Sequence, residues 1–142
     1  MPTLLTTAVV LAVLKSLSVE CTVPPPPCAA LEQSSIVFVG EALAAGPFEQ
    51  KVGPDRFRLI PQSVRFRVIE RFKGLTGEQN EVAASIAVQV EGFLFVAGPQ
   101  YLVYARAGSD GKWHTGCSRT GTLKLRSADL RELRSCKDAS RP

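Results

Sequence analysis

The side chains with the richest chemistry in this sequence are four cysteines, Cys21, Cys28, Cys117 and Cys136, and a single histidine, His114. One histidine excludes a two-histidine metal site and a His-rich catalytic centre. Four cysteines admit free thiols, a zinc site or two disulfides, and the compartment decides between these. Their positions lack the short paired spacing of a zinc ribbon. A catalytic thiol needs a partner base, and only His114 could serve. His114 follows Trp113 just past Asp110-Gly111, where an exposed or turn-capping histidine is expected. No Gly-x-x-x-x-Gly-Lys phosphate loop and no Gly-x-Ser-x-Gly nucleophile elbow occurs. The carboxylates reveal no acid/base pair without a fold. The chain is expected to be no enzyme and to need no cofactor or metal.

The second cluster is basic. Arg56, Arg58, Arg65, Arg67, Arg71 and Lys73 fall close together, against only Asp55 and Glu70. A nucleic-acid binder would want aromatic rings on the same face for base stacking. Strand alternation puts Phe66 opposite Arg65 and Arg67, and Phe57 opposite Arg56 and Arg58. The arginines therefore read as a solvated strand face, with acidic partners as a further possibility and nucleic acid not expected.

The chain has 142 residues, a net charge of +4 and 45% hydrophobic residues, the balance of one globular domain. Leu4 to Leu14 form an uncharged apolar run. It is shorter than the ~20 residues a membrane helix needs and fits a signal-peptide core. The amino terminus is the only positive charge ahead of it, since Lys15 lies beyond. Ser16 and Ser18 suit cleavage after Ser18, so residues 1–18 read as a signal peptide and 19–142 as a single mature domain. An uncleaved anchor or a buried helix is the alternative. Export implies a secreted protein with two disulfides, and no membrane contact after signal removal.

The elements that must position these groups follow from periodicity. Pro24 to Pro27 run extended, and a short helical turn fits between Cys28 and Ser35. Ile36 to Gly40 reads as a strand, with Gly40 marking a bulge or bend. A looser segment from Gly46 to Pro61 contains a short strand at Arg56–Leu59. Ser63 to Phe72 alternates, with Val64, Phe66 and Val68 inward and Arg65, Arg67 and Arg71 outward. Lys73 to Gly77 is a turn, and Glu81 to Val90 and Tyr101 to Ala105 are strands. Asp110-Gly111 turns a hairpin, with Trp113 to Arg119 pairing back. Ser127 can cap a helix that carries Asp129 in its first turn and Leu130 and Leu133 on one face. Five or more strands followed by a helix give an all-β class with small α content, a small barrel or sandwich.

Four pieces in order carry a resemblance: Cys21-x6-Cys28 through the prolines with Ile36–Glu41, Val64–Val68 into Arg71–Gly74, Gly98–Ala105, and Cys117-Ser118-Arg119-Thr120. Together they resemble the tissue inhibitor of metalloproteinases family, most closely its short single-domain bacterial relatives, from Val19 to about Leu133. The resemblance implies a five-stranded oligonucleotide/oligosaccharide-binding (OB) barrel of netrin-like type with a C-terminal helix. In the animal inhibitors the first residue, a cysteine, chelates the protease's zinc through its amine and carbonyl, and the second residue enters the specificity pocket. A neutral amine and a carbonyl oxygen can fill positions that a three-ligand zinc site leaves open. Here Cys21 matches the second cysteine, Val19 stands where the first should be, and Glu91 where its partner should be. The implied pairings are Cys21 with Cys117 and Cys28 with Cys136. The implied target-binding wedge is Val19, Glu20, Cys21 and Thr22, acting as a monomer on an extracellular metalloprotease or another protein. The alternative is an extracellular or envelope module that keeps the fold without inhibition and binds acidic partners through Arg65, Arg67 and Arg71.

Overall fold

Two apolar runs, Ile36–Val39 and Tyr101–Ala105, are buried without a break because both faces of their strands are covered. A computed structural model describes residues 21–46, 49–59, 62–86 and 95–139. The signal segment, Val19, Glu20, Glu91 and the Val88–Val90 end of an expected strand lie outside them. The side chain of Phe57 lies outside as well.

The chain enters through α1 (Pro27–Gln33), then runs β1 (Ile36–Ala45), β2 (Glu49–Gly53), β3 (Arg56–Leu59), β4 (Gln62–Lys73) and β5 (Glu81–Ile86). It continues through β6 (Gln100–Ala107), β7 (Trp113–His114) and β8 (Gly121–Thr122) to α2 (Ser127–Ala139). Strands β1, β4, β5, β7 and β6 neighbour one another in that order, and a β1–β6 pairing closes the ring. Every pairing in the ring is antiparallel except β5 with β7, where Ala84 faces Trp113. This is the closed five-stranded OB barrel, with β8 added to the edge of β6 and a separate β2–β3 hairpin.

Alternation sorts the side chains into two apolar layers. Ile36, Phe38, Val64, Phe66, Phe95, Tyr101 and Val103 fill the barrel. Phe66 packs edge-on against Phe38, Phe95 and Tyr101, with ring centroids 5.7, 5.4 and 6.0 Å away. The opposite faces of β1 and β6 supply Val37, Val39, Leu102 and Tyr104, which meet Ala30 of α1 and Leu133 of α2. Strand β4 has one exposed face at Arg65 and Arg67, so it shows the clean alternation expected of it.

Gly40 sits at a break in the β1–β4 register, as its place in the sequence suggests. A methyl group there would come within 2.8 Å of the Phe38 ring and 3.0 Å of Phe66 Cβ. The strand bends around the aromatic cluster only because that position is bare. The expected Trp113–Arg119 strand is cut to two residues. After His114 the chain turns through Thr115–Ser118, with Cys117 at φ 56°. That turn swings Cys117 toward the N-terminal segment. The gap left on the β6 edge is filled by Thr120, whose Oγ1 accepts from the Tyr104 N–H at 2.9 Å and donates to its carbonyl at 3.1 Å. No helix among the described residues is long and apolar enough to cross a membrane.

Candidate protein-binding segment

Residues Cys21 to Pro26 run extended, because four consecutive prolines start at Pro24 and Pro27 begins α1. The segment is fixed near both ends. A disulfide joins Cys21 to Cys117, with the Cα atoms 5.2 Å apart, and this is one of the two implied bridges. At the other end the Arg119 Nη1 donates to the Pro25 carbonyl at 3.3 Å. Between these anchors Thr22 is exposed and Val23 is 91% exposed, the most exposed large apolar side chain described. Pro24 and Pro25 are half-buried over a cavity of about 20 Å³ bordered by Ser34, Tyr104, His114 and Ser118. That volume holds about one water, so it is packing space beneath the segment, not a ligand pocket.

Arg119 is itself clamped. Its Nε and Nη2 donate to Asp129 Oδ2 and Oδ1 at 2.6 and 2.8 Å, a bidentate pair. The Asp129 bond is the main reason the Arg119 guanidinium is held above its usual pKa. Tyr104 points its hydroxyl at the same carboxylate, 3.5 Å away. Burial, then the Asp129 charge, pushes the Tyr104 phenol well above the usual tyrosine range. Asp129 is read from the sequence as a helix-dipole residue. It is in the first turn of α2, but it is also buried and faces the barrel. The clamp leaves only a faint sequence signal, the Cys-Ser-Arg-Thr piece, and its Pro25 carbonyl acceptor leaves none.

Of the implied wedge, Cys21 and Thr22 lie on this segment, while Val19 and Glu20 fall outside the described residues. Cys28 on α1 and Cys136 on α2 both come to the interface of these helices. The Cys28 Sγ points at the Glu132 carbonyl, 3.9 Å away, and Cys136 packs beside Leu133 in the outer apolar layer. His114 caps its hairpin as expected. Its Nε2 meets the Asp110 carboxylate at 2.9 and 3.0 Å. That bond, then the Lys112 N–H, holds the Asp110 carboxyl below the usual carboxylate range.

The β4 face is less cationic than its sequence suggests. Arg67 pairs with Glu41 on β1, and Arg65 lies 3.7 Å from Glu81 on β5. Arg71 donates to the Thr76 and Gln79 carbonyls at 3.0 and 2.7 Å. Lys73 holds the Leu31 and Glu32 carbonyls at the end of α1. Neighbouring strands supply carboxylates that a single-strand reading cannot see. Among the described residues no group of three or more His, Cys, Asp or Glu side chains could hold a metal ion. No family model matches the chain, and no curated protein sequence matches it.

Proposed function

We propose that the chain is a secreted protein-binding module of metalloprotease-inhibitor type, acting without catalysis of its own. The observation that carries this reading is the Cys21–Pro26 segment, fixed at the disulfide and at Pro25 while Thr22 and Val23 project outward. An extended segment already held in place loses little conformational entropy on entering a partner's groove. Export supplies the oxidising compartment that the Cys21–Cys117 bond requires. Cleavage after Ser18 puts the Val19 amine two residues ahead of the first anchor. A free α-amine titrates near 8, so a neutral, zinc-binding fraction exists at neutral pH. The amine and carbonyl of Val19 would take the open positions on a protease's zinc, with Glu20 directed at its specificity pocket.

The competing reading, association of acidic partners with Arg65, Arg67 and Arg71, is less well supported. Each of these guanidiniums already has a carboxylate or carbonyl partner. The test is a panel of zinc metalloproteases at micromolar inhibitor. Protein starting at Val19 with a free amine should inhibit at least one, and the same protein with an acetylated amine should not. No inhibition by the free-amine form sinks the proposal. Mass spectrometry of the secreted, non-reduced protein reports the mature terminus and whether Cys28 and Cys136 are bridged.

A further inference from the structure

We propose that the turn ahead of α2 is a second docking surface, for an apolar segment of a partner protein flanked by acidic side chains. Pro99, Gln100, Thr122, Leu123 and Lys124 line an open groove of about 470 Å³. Its lining is mostly apolar. Leu125, next in the same turn, is 78% exposed. A lone exposed leucine is ordinary on a protein surface, but Leu125 directly follows the lining residue Lys124 in the chain, close enough for an occupant of the groove to cover it.

Backbone hydrogen bonds hold the groove's sides together. The Leu123 N–H donates to the Gln100 carbonyl at 2.9 Å, tying one wall to the other. The Leu125 and Arg126 N–H groups both donate to the Thr122 carbonyl at 3.0 Å. A preformed surface of this kind costs little to order on binding.

Charge selects the occupant. From Gly116 to Ala128 the chain carries Arg119, Lys124 and Arg126 and no acid. Asp129 follows, but it is spent on Arg119. Among the described residues Lys124 and Arg126 have no ion-pair partner, unlike Arg65, Arg67, Arg119 and Arg134. The Arg126 side chain lies over Gly121 of β8, and its Nε is buried without a hydrogen-bond partner. A lysine without an ion-pair partner on an apolar groove, in a stretch that carries three cations and no acid, favours carboxylates flanking an apolar side chain. A polyanionic sugar would match the charges but not the apolar floor. The surface is independent of the N-terminal segment, so the two readings stand or fall separately.

The test uses the full mature chain and a fluorescein-labelled peptide, Asp-Glu-Leu-Phe-Glu-Asp, read by fluorescence anisotropy. The charge-reversed peptide Lys-Arg-Leu-Phe-Arg-Lys and heparin serve as controls. The acidic peptide should bind saturably, more weakly as salt rises, and the reversed peptide should not bind. Leu125→Ser and Lys124→Glu should each weaken binding by about tenfold or more. Both side chains are exposed, so thermal unfolding should be unchanged in the variants. Inhibition by the Val19 terminus, where present, should be unchanged too. The proposal is overturned if the acidic peptide does not bind, or if the reversed peptide binds as well. It is also overturned if binding ignores both substitutions, or if heparin binds through Lys124 with Leu125 irrelevant.

Discussion

Replacing Asp129 by Asn tests whether the carboxylate clamp holds the N-terminal segment to the barrel. The change keeps the shape and removes the charge. In the native protein Asp129 accepts two charge-assisted bonds from Arg119, at 2.6 and 2.8 Å. The Tyr104 contact at 3.5 Å is too long to add much. A hydrogen bond to a charged group contributes about 1.5–3 kcal/mol net. Asn can still accept one of the two through its Oδ1. The side chains of Arg119 and Asp129 are 22% and 9% exposed, so solvent screens the pair only in part. The expected loss for Asp129→Asn is about 2–3 kcal/mol, a large share of the ~5–15 kcal/mol that holds a domain of this kind folded. Urea unfolding with the disulfide intact measures it, alongside Arg119→Met and the double variant. The double variant should cost little more than either single change, because both remove the same interaction. A loss below about 0.5 kcal/mol for Asp129→Asn, or a cycle additive within about 0.5 kcal/mol, refutes the clamp.

Three further outcomes follow from the same structure. Cys21→Ser with Cys117→Ser opens a loop of sequence separation 96, worth in the chain-entropy model about 4–5 kcal/mol, which urea titration will show as a lower midpoint. Phe66→Ala removes the ring that Phe38, Phe95 and Tyr101 surround and should cost about 3–5 kcal/mol in the same assay. The raised Tyr104 pKa means that the unfolded chain gives up this proton first. The stability it contributes is full below the ordinary tyrosine value of about 10 and is lost as pH rises toward the folded value. Tyr104→Phe should therefore flatten the alkaline limb of stability against pH, and an unchanged limb would count against the burial argument.

Strand β4 was readable from sequence because one face meets water, so charge marks every second residue from Arg65 to Arg67. Strands β1 and β6 were readable for the opposite reason, since double coverage leaves an unbroken apolar run. The Gly40 bulge and the hairpin at Asp110-Gly111 were legible because glycine chemistry is local. What failed was whatever depends on distant neighbours. Trp113 to Arg119 has strand-like residues, but β5 offers only a short parallel contact and Cys117 must reach Cys21. The pairing of β2 with β3 gave no alternating signal in a segment rich in Pro and Gly. Arg67 looked like unopposed charge because Glu41, its partner, is far away in sequence.

If the chain acts as the proposed inhibitor, a valine in place of a bridged cysteine at position 19 sets how strongly its wedge binds. In the proposed mature chain only Val19 and Glu20 precede the disulfide at Cys21. Ordering the backbone of each costs about 1–2 kcal/mol, so together they cost about 2–4 kcal/mol relative to a terminus already bridged. Every 1.4 kcal/mol is tenfold in affinity, so the penalty is a factor of roughly 30 to 1,000. An inhibitor that would otherwise bind at about nanomolar concentration would then bind at roughly tens of nanomolar to micromolar concentration, which is weakened but not abolished. The penalty is confined to two residues because Pro25, Cys21 and the rigid prolines hold the rest. Placing cysteines at the two positions that the proposed inhibitor reading would pair, Val19→Cys and Glu91→Cys, should recover part of that factor on any protease the native chain inhibits. If the bridged variant forms the new disulfide and binds no more tightly, terminus entropy is not what limits inhibition, and the charge of Glu20 becomes the better explanation.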